Sequence, residues 1–253
     1  MKHKKNNLLK WVLLLAVLLC VGSASAQTPA LPKITIGLDA AQKPEDVAVT
    51  LQIVLLMTVL SLVPSIVIMM TSFTRIAIVF AFLRQSLSTQ QSPPTQVLLG
   101  LALFLTIFIM APVGTEINQN AVQPYLKGAI SQTEAYEKAA RPLKNFMLRQ
   151  TREKDLMLFV DIAKIEQPEN ADDLPLHIVI PSFMISEMRI AFQIGFLIYI
   201  PLLVLDMIIA SVLMSMGMMM LPPMMISLPF KLILFVLVDG WHLLVGSLVT
   251  SFH

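Results

Sequence analysis

The sequence predicts an all-α, membrane-associated protein: helical hairpins with kinked helices, plus a helical hydrophilic insert. Three observations predict it. Only 13% of the 253 residues are charged and 56% are hydrophobic, whereas a soluble domain carries about a quarter charged residues. The mean hydropathy of +0.76 points the same way. Apolar runs recur at lengths that cross a bilayer, which takes about 20 residues. Between them lies a stretch of ordinary charge density in which Leu156, Phe159, Val160 and Ala163 repeat at helical spacing.

In chain order, residues 1–26 read as a cleaved secretory signal. Lys2, Lys4, Lys5 and Lys10 form a basic start, Trp11 to Gly22 an apolar core, and Ala24-Ser25-Ala26 a small-x-small site. Cleavage then falls between Ala26 and Gln27. An uncleaved anchor is the alternative, but the core is short for a span. Cys20 raises a lipoprotein reading, against which the bulky Leu19 stands.

Residues 27–115 form a leader and a first hairpin. Gln27 to Asp46 is polar and proline-bearing. Val47 to Thr74 runs without a charge, with Pro64 as an expected kink. Arg75 and Arg84 flank a further apolar stretch before a loop ending near Gln96. Val97 to Gly114 is the second run, expected to end near Pro112 and Glu116. Residues 116–176 are the insert, in which Pro142 suits the first turn of the helix bearing Leu156. Residues 177–253 form a second hairpin. Ile190 to Val212 and Ile226 to Leu248 are its helices, and the methionine-rich Met214 to Met225 joins them.

Cleavage places residue 27 outside the cytoplasm. Of the two crossings that follow, the first puts the 75–96 loop inside, where Arg75 and Arg84 fit the positive-inside bias. The insert returns outside despite its eight Lys and Arg, because the bias weakens in long loops. Without residues 1–26 the chain has 14 basic and 16 acidic residues. That balance leaves no electrostatic footprint for nucleic acid.

Two features could carry chemistry. Seven of the twelve residues 214–225 are Met, with Gly217 and Pro222-Pro223 breaking the helix. Thioether side chains repack around varied shapes, so the segment reads as a deformable seal. An ordinary Met-rich turn is the plainer reading, and Cu(I) binding lacks supporting Cys or His. The second feature is a set of charges in the apolar C-terminal region: Glu187, Arg189, Asp206, Lys231 and Asp239. Each is costly in hydrocarbon unless paired or wet. Lys231 and Asp239, eight apart, share a helix side, and Glu187 and Asp206 could meet Lys231 across helices or subunits. These charges read as a register-fixing network or as an ion path.

Enzyme readings fail. Asp239-Gly240 lacks the Gly-x-Gly-Asp context of an intramembrane aspartyl protease. Metalloprotease, Walker A and Gly-x-Ser-x-Gly motifs are absent. The Cys usage and scattered His offer no metal site, and no cofactor is expected.

Pro181-Ser182-Phe183-Met184-Ile185-Ser186-Glu187-Met188-Arg189-Ile190-Ala191-Phe192 resembles one signature of the bacterial flagellar biosynthesis family FliP. Pro229-Phe230-Lys231 followed by Asp239-Gly240-Trp241 resembles the other, with Leu221-Pro222-Pro223 between them. A counterpart family in virulence secretion commonly lacks the cleaved signal. The resemblance implies a core pore-forming subunit of the flagellar type III export gate in the inner membrane. Several copies would assemble with FliQ and FliR, adjoin FlhB, FlhA and FliO, and pass unfolded flagellar proteins. It implies that Met218, Met219 and Met220 form a gasket and that Glu187, Asp206 and Lys231 make buried ionic contacts. The rivals are a secondary transporter or ion channel using the intramembrane charges, which an inverted repeat would favour, and a non-conducting assembly scaffold.

Overall fold

The computed structural model describes residues 44–89, 91–165, 170–218 and 221–252. The expected signal segment, with Ala26 and Gln27, lies outside them, as do Met219 and Met220. By its contacts the chain divides at Leu55/Leu56. The described part of the first unit is the start of one helix, and the second unit carries all the other elements.

All regular structure among the described residues is helical. Helix α1 is Pro44–Met69 and continues through Pro64. Proline suits the first helical position, so α1 starts three residues before the expected Val47. The uncharged run to Thr74 is not one helix. It stops at Met69, and α2 (Phe73–Ser86) starts beyond a break at 70–72. No Gly or Pro stands at that break, so local sequence did not announce it.

Helix α2 is the centre of the fold. Ile76, Val79, Phe80 and Leu83 are all buried, the i, i+3, i+4, i+7 face of a core helix. Arg75 and Arg84 both lie within α2, not in a loop, and Arg75 is buried. Arg75 therefore cannot serve as the loop charge that the topology reading requires.

Helix α3 (Thr95–Ile117) packs on α2 and does not end at Pro112. It runs on through a π-helical turn, Asn118–Val122, and a last turn, Gln123–Leu126. The boundary expected between residues 115 and 116 thus falls inside continuous helix.

The insert has two helices. α4 (Gln132–Gln150) starts at Ser131, whose side chain accepts from the Glu134 backbone N–H at 3.2 Å. The Ser-x-x-Glu spacing is that of a capping box. Pro142 lies inside α4, not in the first turn of the Leu156 helix. That helix, α5 (Glu153–Ala163), begins separately after Thr151 and Arg152. Leu156 and Val160 are buried, while Ala163 is exposed.

Helix α6 (Leu176–Ser215) has 40 residues and passes through Pro181 and Pro201. At 1.5 Å per residue it is about 60 Å long, roughly twice the hydrocarbon thickness. It is therefore longer than a single crossing needs. Its first half carries the insert, and α2 lies along it in parallel. The pairs Thr74–Met184, Arg75–Glu187 and Phe82–Phe192 advance together along both helices. At Gly195 an added Cβ would meet the Phe82 ring at 2.6 Å, so the absent side chain permits the close approach.

The last apolar run is broken. α7 (Pro223–Leu237) and α8 (Gly240–Thr250) meet at 63°. Asp239 adopts a left-handed backbone there, φ 50°. The break removes the expectation that Lys231 and Asp239 share one helix side.

By length and composition, Leu51–Met69, Thr95–Leu126 and Leu176–Ser215 could each cross a membrane, and the bent α7–α8 pair could form a fourth crossing. The exterior fits that reading. Every residue from Leu56 to Met69 is exposed, and so are Phe104, Phe108, Phe196, Leu197, Val236 and Leu237.

Candidate functional site

The interior holds charges as well as apolar side chains. Arg75, Glu187 and Lys231 are 1%, 0% and 1% exposed, each among apolar neighbours. An unpaired charge in such a place is strongly unfavourable. The structure satisfies them in two clusters, one at each end of α2.

At the start of α2, Arg75 Nε donates to Glu187 Oε2 at 2.9 Å, and Nη2 donates to Glu187 Oε1. Nη2 also donates to Gln150 Oε1 at 3.1 Å. Nη1 donates to Ser251 O at 3.0 Å and Ser251 Oγ at 2.9 Å. A guanidinium has five N–H groups in a fixed fork, and these five bonds use them all. The guanidinium carbon also lies 3.7 Å from the centre of the Phe252 ring, a cation–π contact. Gln150 Nε2 donates back to Phe252 O at 3.2 Å. One side chain therefore ties α2, α4, α6 and the C-terminal turn together.

The insert is pinned one residue away. Arg152 N–H donates to Ser186 Oγ at 3.1 Å, and Ser186 Oγ donates to Asp155 Oδ2 at 2.6 Å. Arg152 Nη2 reaches the same oxygen at 2.5 Å. Burial raises the Asp155 carboxyl, but the Ser186 hydrogen bond and the Arg152 and Arg189 charges hold it below its ordinary value.

At the other end of α2, Lys231 Nζ donates to Asp206 Oδ2 at 2.6 Å, Ser88 Oγ at 2.9 Å and Ser86 O at 3.1 Å. Three donors meet three acceptors. Ser86 O belongs to the last turn of α2, where orphan carbonyls and the helix dipole favour a cation. Asp206 Oδ1 accepts from Ser227 Oγ at 2.6 Å. Asp206 keeps 20% side-chain exposure, so this cluster is less sealed than the first.

Asp206 and Lys231 are thus brought together, and Glu187 is set apart from both. Its partner, Arg75, stands 112 positions away, where hydropathy reads only a flanking charge. A signal for it existed. The apolar C-terminal region holds three acids and two bases, one cation short of balance.

The Lys231 cluster staples the base of the methionine-rich segment. Asp206 lies on α6 before it, and Ser227 and Lys231 on α7 after it. α6 ends in a Schellman motif. Met218 N–H bonds Leu213 O, and Gly217 N–H bonds Met214 O, each at 3.0 Å. Gly217 has φ 75°, the left-handed backbone that glycine adopts without strain. Pro222 caps α7 and Pro223 opens it. Met214, Met216, Met218, Met224 and Met225 are all exposed. Among the described residues no group of three His, Cys, Asp or Glu could hold a metal ion.

Fold and site together define a class: an all-α, membrane-type subunit with satisfied charges inside, an apolar exterior awaiting cover, and a methionine turn at a hairpin tip. The family model described as "FliP family" matches residues 56–248. The chain belongs to that family. It is 58% identical to the flagellar biosynthetic protein FliP of Bacillus subtilis, over 86% of this chain and 98% of that protein. The Caulobacter vibrioides FliP is 58% identical over 80% of this chain and 76% of its own length. The Treponema pallidum FliP is 47% identical, over 92% and 87%. Membership gives the chain a role in flagellar biosynthesis, within the export apparatus.

Proposed function

We propose that this chain is a core pore-forming subunit of the flagellar type III export gate, conducting unfolded flagellar proteins across the inner membrane. Family membership carries the reading. The fold supports it in two ways. The exposed apolar faces of α3, α6 and α7 are far larger than a lone soluble chain displays, and several copies with FliQ and FliR would cover them. The methionine-rich segment, stapled at its base by the Lys231 cluster, suits a gasket of Met218, Met219 and Met220. Thioether side chains can yield to an extended polypeptide and close again.

The chain's own residues need supply no bond-making step. Their work is to hold the turn in place and to seal. Energy comes from other components; FlhA and FlhB adjoin the chain, and FliO aids its assembly. The insert stands outside the cytoplasm, over the membrane end of α6, within the basal body. Glu187, Asp206 and Lys231 act as structural charges, with Arg75 completing them.

The test is the native mass of the complex purified through a tag on this chain. Several copies together with FliQ and FliR support the gate reading. A lone copy, or a complex lacking both partners, overturns it.

A further inference from the structure

The charges of the apolar C-terminal half leave a remainder. Five are present: Glu187, Arg189, Asp206, Lys231 and Asp239. Glu187 is taken by Arg75, and Asp206 by Lys231. Arg189 and Asp239 are left, one of each sign and both exposed. Among the described residues neither side chain makes a hydrogen bond or an ion pair. Arg189 does feel Asp155, but that carboxylate already binds Ser186 and Arg152.

We propose that Arg189 of one copy pairs with Asp239 of the next, and that this contact seats adjacent copies of the chain. The inference rests on the multi-copy reading above. Three observations carry it. First, the surroundings are complementary in shape. Arg189 rims an open, largely apolar pocket of about 330 Å³, lined also by Phe82, Phe192, Gln193 and Phe196. Asp239 follows Val236, Leu237 and Val238, exposed by 73%, 80% and 51%. An apolar knob with a carboxylate thus faces a pocket with a guanidinium.

Second, the bend that presents Asp239 is built into the fold. Its backbone is left-handed, a conformation Asp tolerates better than most residues. A Cβ on Gly240 would meet the Phe235 ring at 2.3 Å, so the close turn needs that glycine. The Asp239 side chain makes no capping bond to α8 and stays available.

Third, the two charges lie at one level. Phe192, three residues past Arg189, stacks edge-on with Phe82 at 5.2 Å. Trp241, two residues past Asp239, meets Phe80 at 6.3 Å. Measured along α2, Arg189 and Asp239 stand within about one helical turn of each other. A rotation between copies joins them with little axial shift, which is a head-to-tail contact that propagates around an axis. Lipid could cover the apolar surface, but an anionic headgroup would neutralise Arg189 and leave Asp239 bare. A second copy neutralises both, and the pairing completes a set of three cations on three acids.

The test uses the full chain in its complex, with Cys20→Ser to remove the only native cysteine. An arginine–carboxylate pair spaces the backbones too widely for a disulfide, so a short bifunctional thiol reagent is applied to Arg189→Cys and Asp239→Cys. Dimers form when the two single variants are co-expressed, and a ladder forms when both changes sit in one chain. Either single variant alone gives neither. A complex of normal mass without cross-links overturns the pairing and leaves the multi-copy reading standing, whereas a single-copy mass for the unchanged protein overturns both. If the cysteine chain fails to assemble, charge exchange decides. Arg189→Asp and Asp239→Arg should each lower complex yield about tenfold or more, and the double variant should restore it. A double variant no better than the singles contradicts the proposal.

Discussion

The two ends of α2 solve the same problem differently. At its start, Arg75 and Glu187 are sealed, every guanidinium N–H is used, and four segments converge on one side chain. At its finish, Lys231 and Asp206 also pair at 2.6 Å, but Asp206 stays partly exposed and the cluster holds only α2, α6 and α7. The first is a knot that the fold cannot loosen without exposing a bare charge. The second is a clip under a methionine turn, with room to adjust. A buried ion pair is weak evidence for net stability, yet removing one partner is severe. The difference in sealing therefore predicts a difference in the cost of breaking each.

Arg75→Ala carries the largest expected effect. It strands Glu187 and frees Gln150 and Ser251, at a cost of about 3–5 kcal/mol. The complex should be nearly absent from detergent extracts, read as yield on a native gel. Lys231→Ala should cost less, about 2–3 kcal/mol, because water can reach Asp206. Reduced but measurable complex is expected, with a lower midpoint of heat-induced disassembly. Equal yields from the two variants would erase the contrast between knot and clip.

Acid sharpens the comparison further, with a smaller effect. Asp155, next to the knot, has a carboxyl held below its ordinary value of 3.8. A depressed carboxyl contributes stability that is full above its unfolded value and is lost as pH falls through its folded value. Between about pH 5 and pH 3, the disassembly midpoint should fall for the unchanged protein. Asp155→Asn should flatten that limb by lowering the midpoint near neutral pH toward the value the unchanged protein shows in acid.

Much of this was legible in the sequence, and the rest was hidden for physical reasons. The second half of α6 and the break at Gly217 and Pro222-Pro223 announce themselves through hydropathy and backbone preference, whereas α6 begins at Leu176, 14 residues before the expected Ile190. Asp206 and Lys231 stand out because charge is costly in an apolar run. Arg75 is misplaced because hydropathy treats a charge as the end of a segment. A buried cation mid-fold looks identical until its partner, 112 positions away, is known. The break at 70–72 has no Gly or Pro to mark it, so packing around α2 decides it. Pro142 reads as a helix start by preference, yet α4 carries it inside because Ser131 already supplies the cap. The bend at Asp239 rests on the Gly240–Phe235 contact, which no periodicity reveals.

The central claim is that copies of this chain enclose a conduit sealed by the methionine turn. Conductance of the purified complex in a planar bilayer tests it most directly, comparing the unchanged protein with Met218, Met219 and Met220 all replaced by Ala. The account predicts an unchanged native mass, a closed unchanged complex and a variant that leaks small ions. A variant of normal mass with the same low conductance would contradict it.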